Sequence, residues 1–240
     1  MGQVLDKKDV LMKTIGLIGG LGWRATVSYY EYLNKRGNAY LGKTHSPHII
    51  IDSLDLEKLG HMLKINDDTG IMNFFLHSTD RLISSGAELI AICCNSAHKV
   101  AENILPKLGE QFIDIRHAVV EELLKLHVDC VALFGTTTTM EQSFYRNELE
   151  SANISCLIPE ISERKYINAV IDELSIDIIK QEAKKKFIAI GDTMIKKGAQ
   201  AILLACTELP LLLSQADFEI PVIDTILVHA DKIFRLATRE

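Results

Sequence analysis

The sequence lacks the cysteine patterns that mark a disulfide framework or a zinc site. Its five cysteines are irregularly spaced, no C-x-x-C pair occurs, and only Cys93 and Cys94 are adjacent. Disulfide-stapled domains carry even numbers of cysteines, and structural zinc sites need closely spaced pairs of ligands. The sequence therefore predicts free thiols, no bound metal and a reducing compartment, the cytoplasm.

Long apolar runs and dense basic clusters are missing as well. No run approaches the roughly 20 apolar residues that span a bilayer, and the N-terminal stretch MGQVLDKKDVLM is too charged for a signal peptide. The chain has 32 acidic against 26 basic residues, a net charge of -6, and its densest basic run is KKK at 184–186. We therefore expect neither a membrane nor a nucleic acid as a partner.

What the sequence does contain is a regular alternation of two patterns. Short β-rich apolar runs alternate with longer stretches of helical period, in a chain of 240 residues that is 48% apolar. This order is typical of parallel strands joined by crossover helices. The sequence predicts an α/β protein with strands at 14–18, 48–51, 88–93, 112–114, 130–134, 154–158, 201–205 and 221–224.

The second half of the chain repeats the first. GAELIAICCN at 86–95 is answered by GAQAILLACT at 198–207, and FID ending at Asp114 is answered by VID ending at Asp224. The repeat predicts two similar lobes with parallel sheets flanked by helices, related by a pseudo-twofold axis, with the active site in the cleft between them. We expect a first lobe over 13–116, a second over 117–216, and a C-terminal helix within 217–240 that packs back on the first lobe.

Both copies of the repeat end on a cysteine, Cys94 and Cys206. Ligands of such folds bind beyond the carboxyl ends of the strands, where both thiols are expected. The turns NSAH and TELP that follow can begin helices, whose free amide groups favour an anion. We therefore expect thiol pKa values lowered toward neutrality, and we interpret Cys130 and Cys156 as small apolar residues of the core.

Two thiols on opposite faces of one carbon can invert its configuration. One thiolate removes a proton while the opposing thiol delivers another. The α-proton of an amino acid is weakly acidic, so the site must also neutralise the substrate carboxylate. The candidates are Asn95, Ser96, Thr207 and the GTTTTM turn with Thr136 and Thr139; the alternative for that turn is an ordinary helix cap.

These motifs resemble the aspartate/glutamate racemase family of cofactor-independent amino-acid racemases. The likeness runs through IGLIGGLGWRATVSYYEYLN, CNSAHKV, FGTTTTMEQSFYRNEL and ACTELPLLL, in that order, from about Lys13 to the last helix. The resemblance implies two domains, a homodimer, no cofactor (in particular no pyridoxal phosphate), and an amino-acid substrate. It also implies proton transfer by Cys94 and Cys206, carboxylate contacts at Asn95, Ser96, Thr207 and the threonine turn, and Lys165 directed toward the substrate.

The chain departs from the family pattern at three places. Leu21 and Gly22 follow the glycine pair, where many relatives have Met and then Gly or Ser. DSLDLEKLG offers only Lys58 where aspartate-specific relatives place an arginine, and Thr137 stands where relatives often have Arg. Aspartate and glutamate remain the leading substrates, although the arginine that would bind their distal carboxylate is missing.

Two other functions compete with racemisation. Gly20, Gly22 and Ala25 form the alanine variant of the dinucleotide-binding pattern, and Asp52 ends the next strand where a ribose acceptor would lie, which fits an NAD(P)-dependent oxidoreductase. The other alternative is a non-catalytic, two-lobed amino-acid-binding protein.

Two residues beside the cysteines have open roles. His98 either orients a group near Cys94 or is a structural or solvated histidine. Glu208 either meets the substrate ammonium group or merely favours the start of a helix.

Overall fold

The computed structural model describes residues 12–42, 44–65 and 67–239. The N-terminal stretch on which we based the absence of a signal peptide lies almost wholly outside these residues. The described chain forms two compact units. The first contains the described residues up to Cys93, Asn103–Ile113, and the described residues from Ala230 onward; the second contains Cys94–Glu102 and Asp114–His229.

The first unit contains a four-stranded parallel sheet with the order β2-β1-β3-β4. β1 and β3, the two inner strands, are buried along their whole length, as expected for strands covered on both faces. This explains why their sequences are continuous apolar runs rather than alternating ones. The strands are β1 (Ile15–Gly19), β2 (Ile49–Ser53), β3 (Leu89–Ile92) and β4 (Phe112–Ile113).

Helices connect these strands. Asp55 and Asp67 cap the second and third helices, each by accepting a hydrogen bond from a backbone amide in the first turn. The second helix was not predicted from the sequence. The helices are α1 (Trp23–Leu41), α2 (Leu56–Lys64), α3 (Asp68–Ser84) and α4 (Ala101–Leu108). No helix in the described ranges is both long enough and apolar enough to cross a membrane.

The second unit repeats this architecture with the strand order β6-β5-β7-β8, again parallel. Its strands are β5 (Cys130–Gly135), β6 (Ser155–Leu157), β7 (Ala201–Ala205) and β8 (Val222–Asp224). Its helices are α5 (Ile115–Lys125), α6 (Thr137–Glu141), α7 (Ser143–Ser151), α8 (Ile161–Ser175) and α9 (Gln181–Lys196), and α10 (Thr225–Thr238) begins in it.

The two sheets confirm the repeat that the sequence predicts. Ile90 pairs with Phe112 in the first sheet, and Ile202, its counterpart, pairs with Val222 in the second. Asp114 and Asp224 then begin the next helices, since each carboxylate accepts a hydrogen bond from the amide two residues later, at 2.8 and 2.9 Å. The same sequence pattern therefore produces the same strand, strand and capped helix in both units.

Alternate residues of the inner strands of the second unit face two separate apolar clusters. Phe134 and Leu204 pack with α8 and α9 on one side of the sheet, whereas Leu133 and Leu203 pack with α5 and α7 on the other. Because both faces are covered, β7 is fixed, and Cys206, the residue that follows it, lies at a defined place.

The compact units divide the chain differently from the boundaries 13–116, 117–216 and 217–240 expected above. β8 pairs with β7, so the chain through His229 belongs to the second unit, and only the remainder of α10 belongs to the first. The segment Cys94–Glu102 also belongs to the second unit, because it contacts residues such as Thr225 and Ile115. Both repeated cysteines consequently lie in the same unit.

Glycine is required in the loop after β1 because of the backbone conformation and a close backbone contact at Gly20. A Cβ on Gly20 would lie 2.1 Å from the carbonyl oxygen of Leu54, and Gly20 has a φ of 81°, in the left-handed region. Its amide donates a 2.9 Å hydrogen bond to Thr26 Oγ1, which closes the loop. Asp52 Oδ2 accepts hydrogen bonds from Ser78 at 2.5 Å and Arg81 at 2.6 Å. The residues that suggest a dinucleotide site therefore have structural roles.

Replacing Gly20 by alanine should destabilise the protein because the added methyl group collides with backbone atoms. We expect Gly20→Ala to lower the free energy of unfolding by at least about 2 kcal/mol. Gly60 is the matched control: it lies inside α2 of the same unit with nothing within 4 Å of an added Cβ. Gly60→Ala should raise stability by about 0.5–1 kcal/mol. Denaturant titration measures both changes, and an unchanged stability of Gly20→Ala would refute the backbone explanation.

Candidate active site

Cys94 lies just after β3, where the chain turns into a short 3₁₀ helix, Ser96–Val100. The hydroxyl oxygen of Ser96 is 3.4 Å from the Cys94 sulfur. Backbone amides of Ala97 and Ser96 also donate hydrogen bonds to this sulfur. The start of a helical turn therefore directs donor groups at Cys94, as the turn NSAH predicts.

Cys206 follows β7 and is 9% exposed. Its thiol donates a 3.0 Å hydrogen bond to Oε2 of Glu208. Glu208 is only 6% exposed, and its Oε2 also accepts a hydrogen bond from the hydroxyl of Thr207. Cys206 thus has a buried carboxylate as its partner, whereas Cys94 has a hydroxyl and amides.

The pKa values of the two thiols are not lowered as expected from the sequence. Burial raises the pKa of Cys94 despite the donors around it. Burial and the Glu208 carboxylate raise the pKa of Cys206 well above its usual value, and a charge on Cys94 raises it further. The expectation of thiols near neutrality is wrong because it counted the donor groups without the cost of removing the thiolate from water.

His98 anchors the backbone at Cys94. Its Nδ1–H donates a 2.8 Å hydrogen bond to the carbonyl oxygen of Cys94, and its Nε2 accepts a 3.3 Å hydrogen bond from the amide of Ile115. This arrangement requires the neutral ring with the proton on Nδ1. His98 is completely buried, so of its two suggested roles the structure supports a structural one at the Cys94 backbone.

Beside His98 lies a buried ion pair between Asp114 and Arg116. The Arg116 guanidinium donates hydrogen bonds of 2.7 to 3.2 Å to both carboxylate oxygens and one of 3.1 Å to the carbonyl oxygen of Phe144. Burial disfavours the charged carboxylate, but the hydrogen bonds and the charge of Arg116 outweigh that cost and hold the pKa of Asp114 well below its usual range. The pair therefore remains charged and ties the start of α5 to α7.

Asn95 holds the same loop to the start of α10. Its side-chain amide donates a 3.0 Å hydrogen bond to the hydroxyl of Thr225, which in turn donates to the carbonyl oxygen of Leu204 at 3.0 Å. Asn95 is 3% exposed. The loop after β3 is thus connected through Thr225 to the end of β7, two residues before Cys206.

The threonine turn caps a helix, which is the alternative that the sequence left open. Thr136 Oγ1 accepts a 3.3 Å hydrogen bond from the amide of Thr139 and lies 3.1 Å from its hydroxyl. Thr136 is partly exposed and Thr139 is buried. Lys165 is exposed on α8. Substrate contacts of these three residues stay predictions.

A groove of about 480 Å³ lies elsewhere, in the first unit. It is lined by Glu57, Lys58, His61, Met62 and Phe74. Its lining includes Lys58, the only cation of DSLDLEKLG, but none of the predicted site residues. Across the part of the chain that the structure describes, no group of three or more His, Cys, Asp or Glu side chains is placed to hold a metal ion.

Three residues that hold the chain near the cysteines were not predicted from the sequence: Asp114, Arg116 and Thr225. Asp114 was noted only as a repeat of Asp224, and the contacts of Arg116 and Thr225 join residues far apart in the chain. The available signal was a charged pair two residues apart directly after an apolar strand, which is unusual in a buried position.

Acid should destabilise the protein through His98. Burial lowers the pKa of His98, with Asp114 opposing and Arg116 assisting that change, and the His229 ring packs edge-on at 5.9 Å. Below about pH 6.5 the unfolded chain binds a proton that the folded protein does not, so stability falls as the pH falls. One proton contributes a slope of up to about 1.4 kcal/mol per pH unit. The variant His98→Asn, measured by denaturant titration between about pH 5 and 7, should lose that contribution; an unchanged slope contradicts the assignment.

Comparisons with known proteins give one consistent result. A family model described as Asp/Glu/Hydantoin racemase matches residues 18–233. A broad specificity amino-acid racemase of Bacillus subtilis is 23% identical over 217 residues, covering 88% of this chain and 92% of the relative.

Two solved structures extend the likeness to the fold. A solved structure from Yersinia pestis, described as a candidate Asp/Glu racemase, is 33% identical to this chain. The two superpose with a TM-score of 0.89, over 94% of this chain and 99% of that one. An aspartate racemase homologue from Pyrococcus horikoshii is 30% identical with a TM-score of 0.83, over 95% and 100%. These findings confirm the resemblance stated from the motifs. The chain therefore belongs to the Asp/Glu/Hydantoin racemase family, which identifies it as an isomerase of the amino-acid racemase type.

Proposed function

We propose that the protein interconverts the L and D forms of an amino acid by proton transfer through Cys94 and Cys206, without a cofactor. The observation that carries this proposal is that each cysteine lies within two residues of the end of an inner parallel strand, in one compact unit, where hydrogen bonds from Asn95 through Thr225 to Leu204 join the two strand ends. One thiolate takes the α-proton, and the other thiol protonates the opposite face of the carbanion. Cys130 and Cys156 take no part in the proposed proton transfer.

The raised thiol pKa values fit a reaction that needs a strong base. The α-carbon of an amino acid is much less acidic than a thiol, so a thiolate of high pKa removes its proton more readily once it is formed. A substrate ammonium group beside the cysteines would favour that thiolate. The buried setting also keeps the hydrogen bonds from the Ser96 and Ala97 amides strong.

The substrate carboxylate needs donors in the same place. We propose Ser96 and Thr207, which are partly exposed next to the two cysteines, with Asn95, Thr136, Thr139 and Lys165 completing the set. Because the Thr207 hydroxyl donates its proton to Glu208, Thr207 would contribute its backbone amide. Asn95 and Thr139 are buried and already hydrogen-bonded, so they would act mainly by holding their loops. Aspartate and glutamate lead the substrates because the relatives are described by those names. A homodimer in the cytoplasm remains part of this prediction.

Removing either thiol should strongly slow racemisation but leave some exchange of the α-proton from one enantiomer. In deuterated water, the native protein should exchange the α-proton of its substrate and interconvert both enantiomers. Cys94→Ala and Cys206→Ala should each slow interconversion by roughly 10² to 10⁴-fold, with residual exchange from one enantiomer only. NMR of the α-proton across the common amino acids, with chiral chromatography, measures both. Cys130→Ala, a thiol outside the pair, is the control.

The same measurements separate the competing functions. Native rates in both single variants would refute the two-cysteine proposal. Saturable amino-acid binding without α-proton exchange would instead identify a binding protein. Tight binding of a nicotinamide dinucleotide would support the oxidoreductase alternative.

The reaction should be faster in alkaline solution. Because burial raises the pKa of Cys94, its thiolate in the free protein forms only above the usual thiol range, so kcat/KM should rise with pH beyond about 8.5. Initial rates of racemisation at low substrate concentration, followed by polarimetry, give the profile. A flat profile between about pH 6 and 8 would show that the base is already ionised there.

A further inference from the structure

The two thiols have hydrogen-bond partners of opposite character. The partner of Cys206 is a carboxylate oxygen of Glu208, which when ionised can only accept a hydrogen bond. The partners of Cys94 include backbone amides of Ala97 and Ser96, which can only donate. The first arrangement requires a proton on Cys206, and the second stabilises a negative charge on Cys94. The two cysteines occupy equivalent positions in the repeat, but their hydrogen-bond partners differ.

Glu208 is placed to maintain this asymmetry. It is 6% exposed, and a single oxygen, Oε2, accepts hydrogen bonds from both Cys206 and Thr207. A thiolate at Cys206 would lie 3.0 Å from this oxygen, so two negative charges would share a buried space with little solvent between them. The Thr207 hydroxyl also orients the carboxylate toward the thiol.

We propose that Glu208 is a positioning residue that keeps the proton on Cys206, so that Cys94 is the thiol that ionises first and acts as the base, while Cys206 acts as the acid. The catalytic part of this inference rests on the function proposed above. The Cys94 thiolate takes the α-proton, and the electrons of the broken C–H bond stay on the substrate. The carbanion then takes the proton of Cys206, leaving a thiolate beside Glu208.

The proton count balances over the cycle. After product formation Cys94 carries the proton taken from the substrate, and Cys206 has lost one. A proton released from Cys94 to water and one taken up by Cys206 restore the starting state. Because the Glu208 carboxylate destabilises the Cys206 thiolate, this return is favourable. The protein that has lost one thiol proton is therefore ready for the enantiomer whose α-proton faces Cys94.

The surrounding charges agree with this assignment. Burial, Glu208 and Cys94 all raise the pKa of Cys206. Glu208 also raises the pKa of Cys94, but burial, the hydrogen bond with the Ser96 hydroxyl and the hydrogen bond from the Ala97 amide have larger effects there. The other ionisable groups near the Cys94 loop, Asp114 and Arg116, act on His98.

Site-resolved alkylation tests the proton placement without requiring turnover. The native protein, Glu208→Gln and Glu219→Gln are treated with iodoacetamide from about pH 6 to 11, and mass spectrometry gives the rate at each cysteine. The pH at the inflection of each rate reports the thiol pKa, whereas accessibility changes only the plateau. In the native protein, the inflection for Cys206 should lie above that for Cys94.

Glu208→Gln should lower the Cys206 inflection by about one pH unit or more, which is about a tenfold faster alkylation on the rising limb. Glu219→Gln removes the same charge from an exposed position of the same unit and should change neither inflection. A native Cys206 inflection at or below that of Cys94, or equal inflections in Glu208→Gln and the control, would overturn the proposal. If Glu208→Gln does not fold, as judged by circular dichroism, the order of the native inflections decides.

The pH profile of racemisation provides the second readout. If Cys206 must supply a proton, the alkaline limb of kcat/KM reports the loss of that proton, and Glu208→Gln should move this limb to lower pH. An alkaline limb that Glu208→Gln leaves in place also overturns the proposal. A native protein that shows the alkylation asymmetry but no racemisation would refute the proposed function and leave the proton placement intact.

Discussion

The hydrogen bond from the Cys206 thiol to the buried Glu208 carboxylate is the interaction on which the chemistry of this site depends. Buried carboxylates are costly unless they are hydrogen-bonded, and Glu208 is satisfied by Cys206 and Thr207, which are its chain neighbours. The same bond that stabilises the carboxylate determines where the proton resides. The hydrogen bond between Cys206 and Glu208 therefore both stabilises the buried carboxylate and favours the protonated form of the thiol.

Cys94 is held by a longer chain of contacts. The Asp114–Arg116 pair keeps its charge in the core and begins α5, whose first amide binds His98, and His98 in turn binds the Cys94 carbonyl. Asn95 and Thr225 add a second connection, to the end of β7. Every side chain in these links is buried, so the position of Cys94 is determined by the core rather than by a free loop.

The repeat accounts for the shared fold of the two sheets, and the differences between its two copies account for the different surroundings of the two cysteines. The two sheets share strand order, register and helix caps after β4 and β8. The residues that follow each repeated cysteine differ, NSAH against TELP, and they supply donors at one thiol and an acceptor at the other. Two identical half-sites would have no reason to differ in protonation, so in the proposed mechanism these short turns make one cysteine the base and the other the acid.

The sequence by itself determined the α/β class, both sheets and the repeat that aligns Cys94 with Cys206, because hydrophobic period and repeated motifs are local properties. It missed α2, where Gly60 interrupts a short helical pattern, and it could not reveal the contacts of Asp114, Arg116 and Thr225. It also gave the wrong direction for the thiol pKa values, since amide donors can be read from a turn but burial cannot. Only the tertiary structure decided the burial of the thiols, the orientation of Glu208 and the division of the chain into units, because each depends on groups brought together from distant positions.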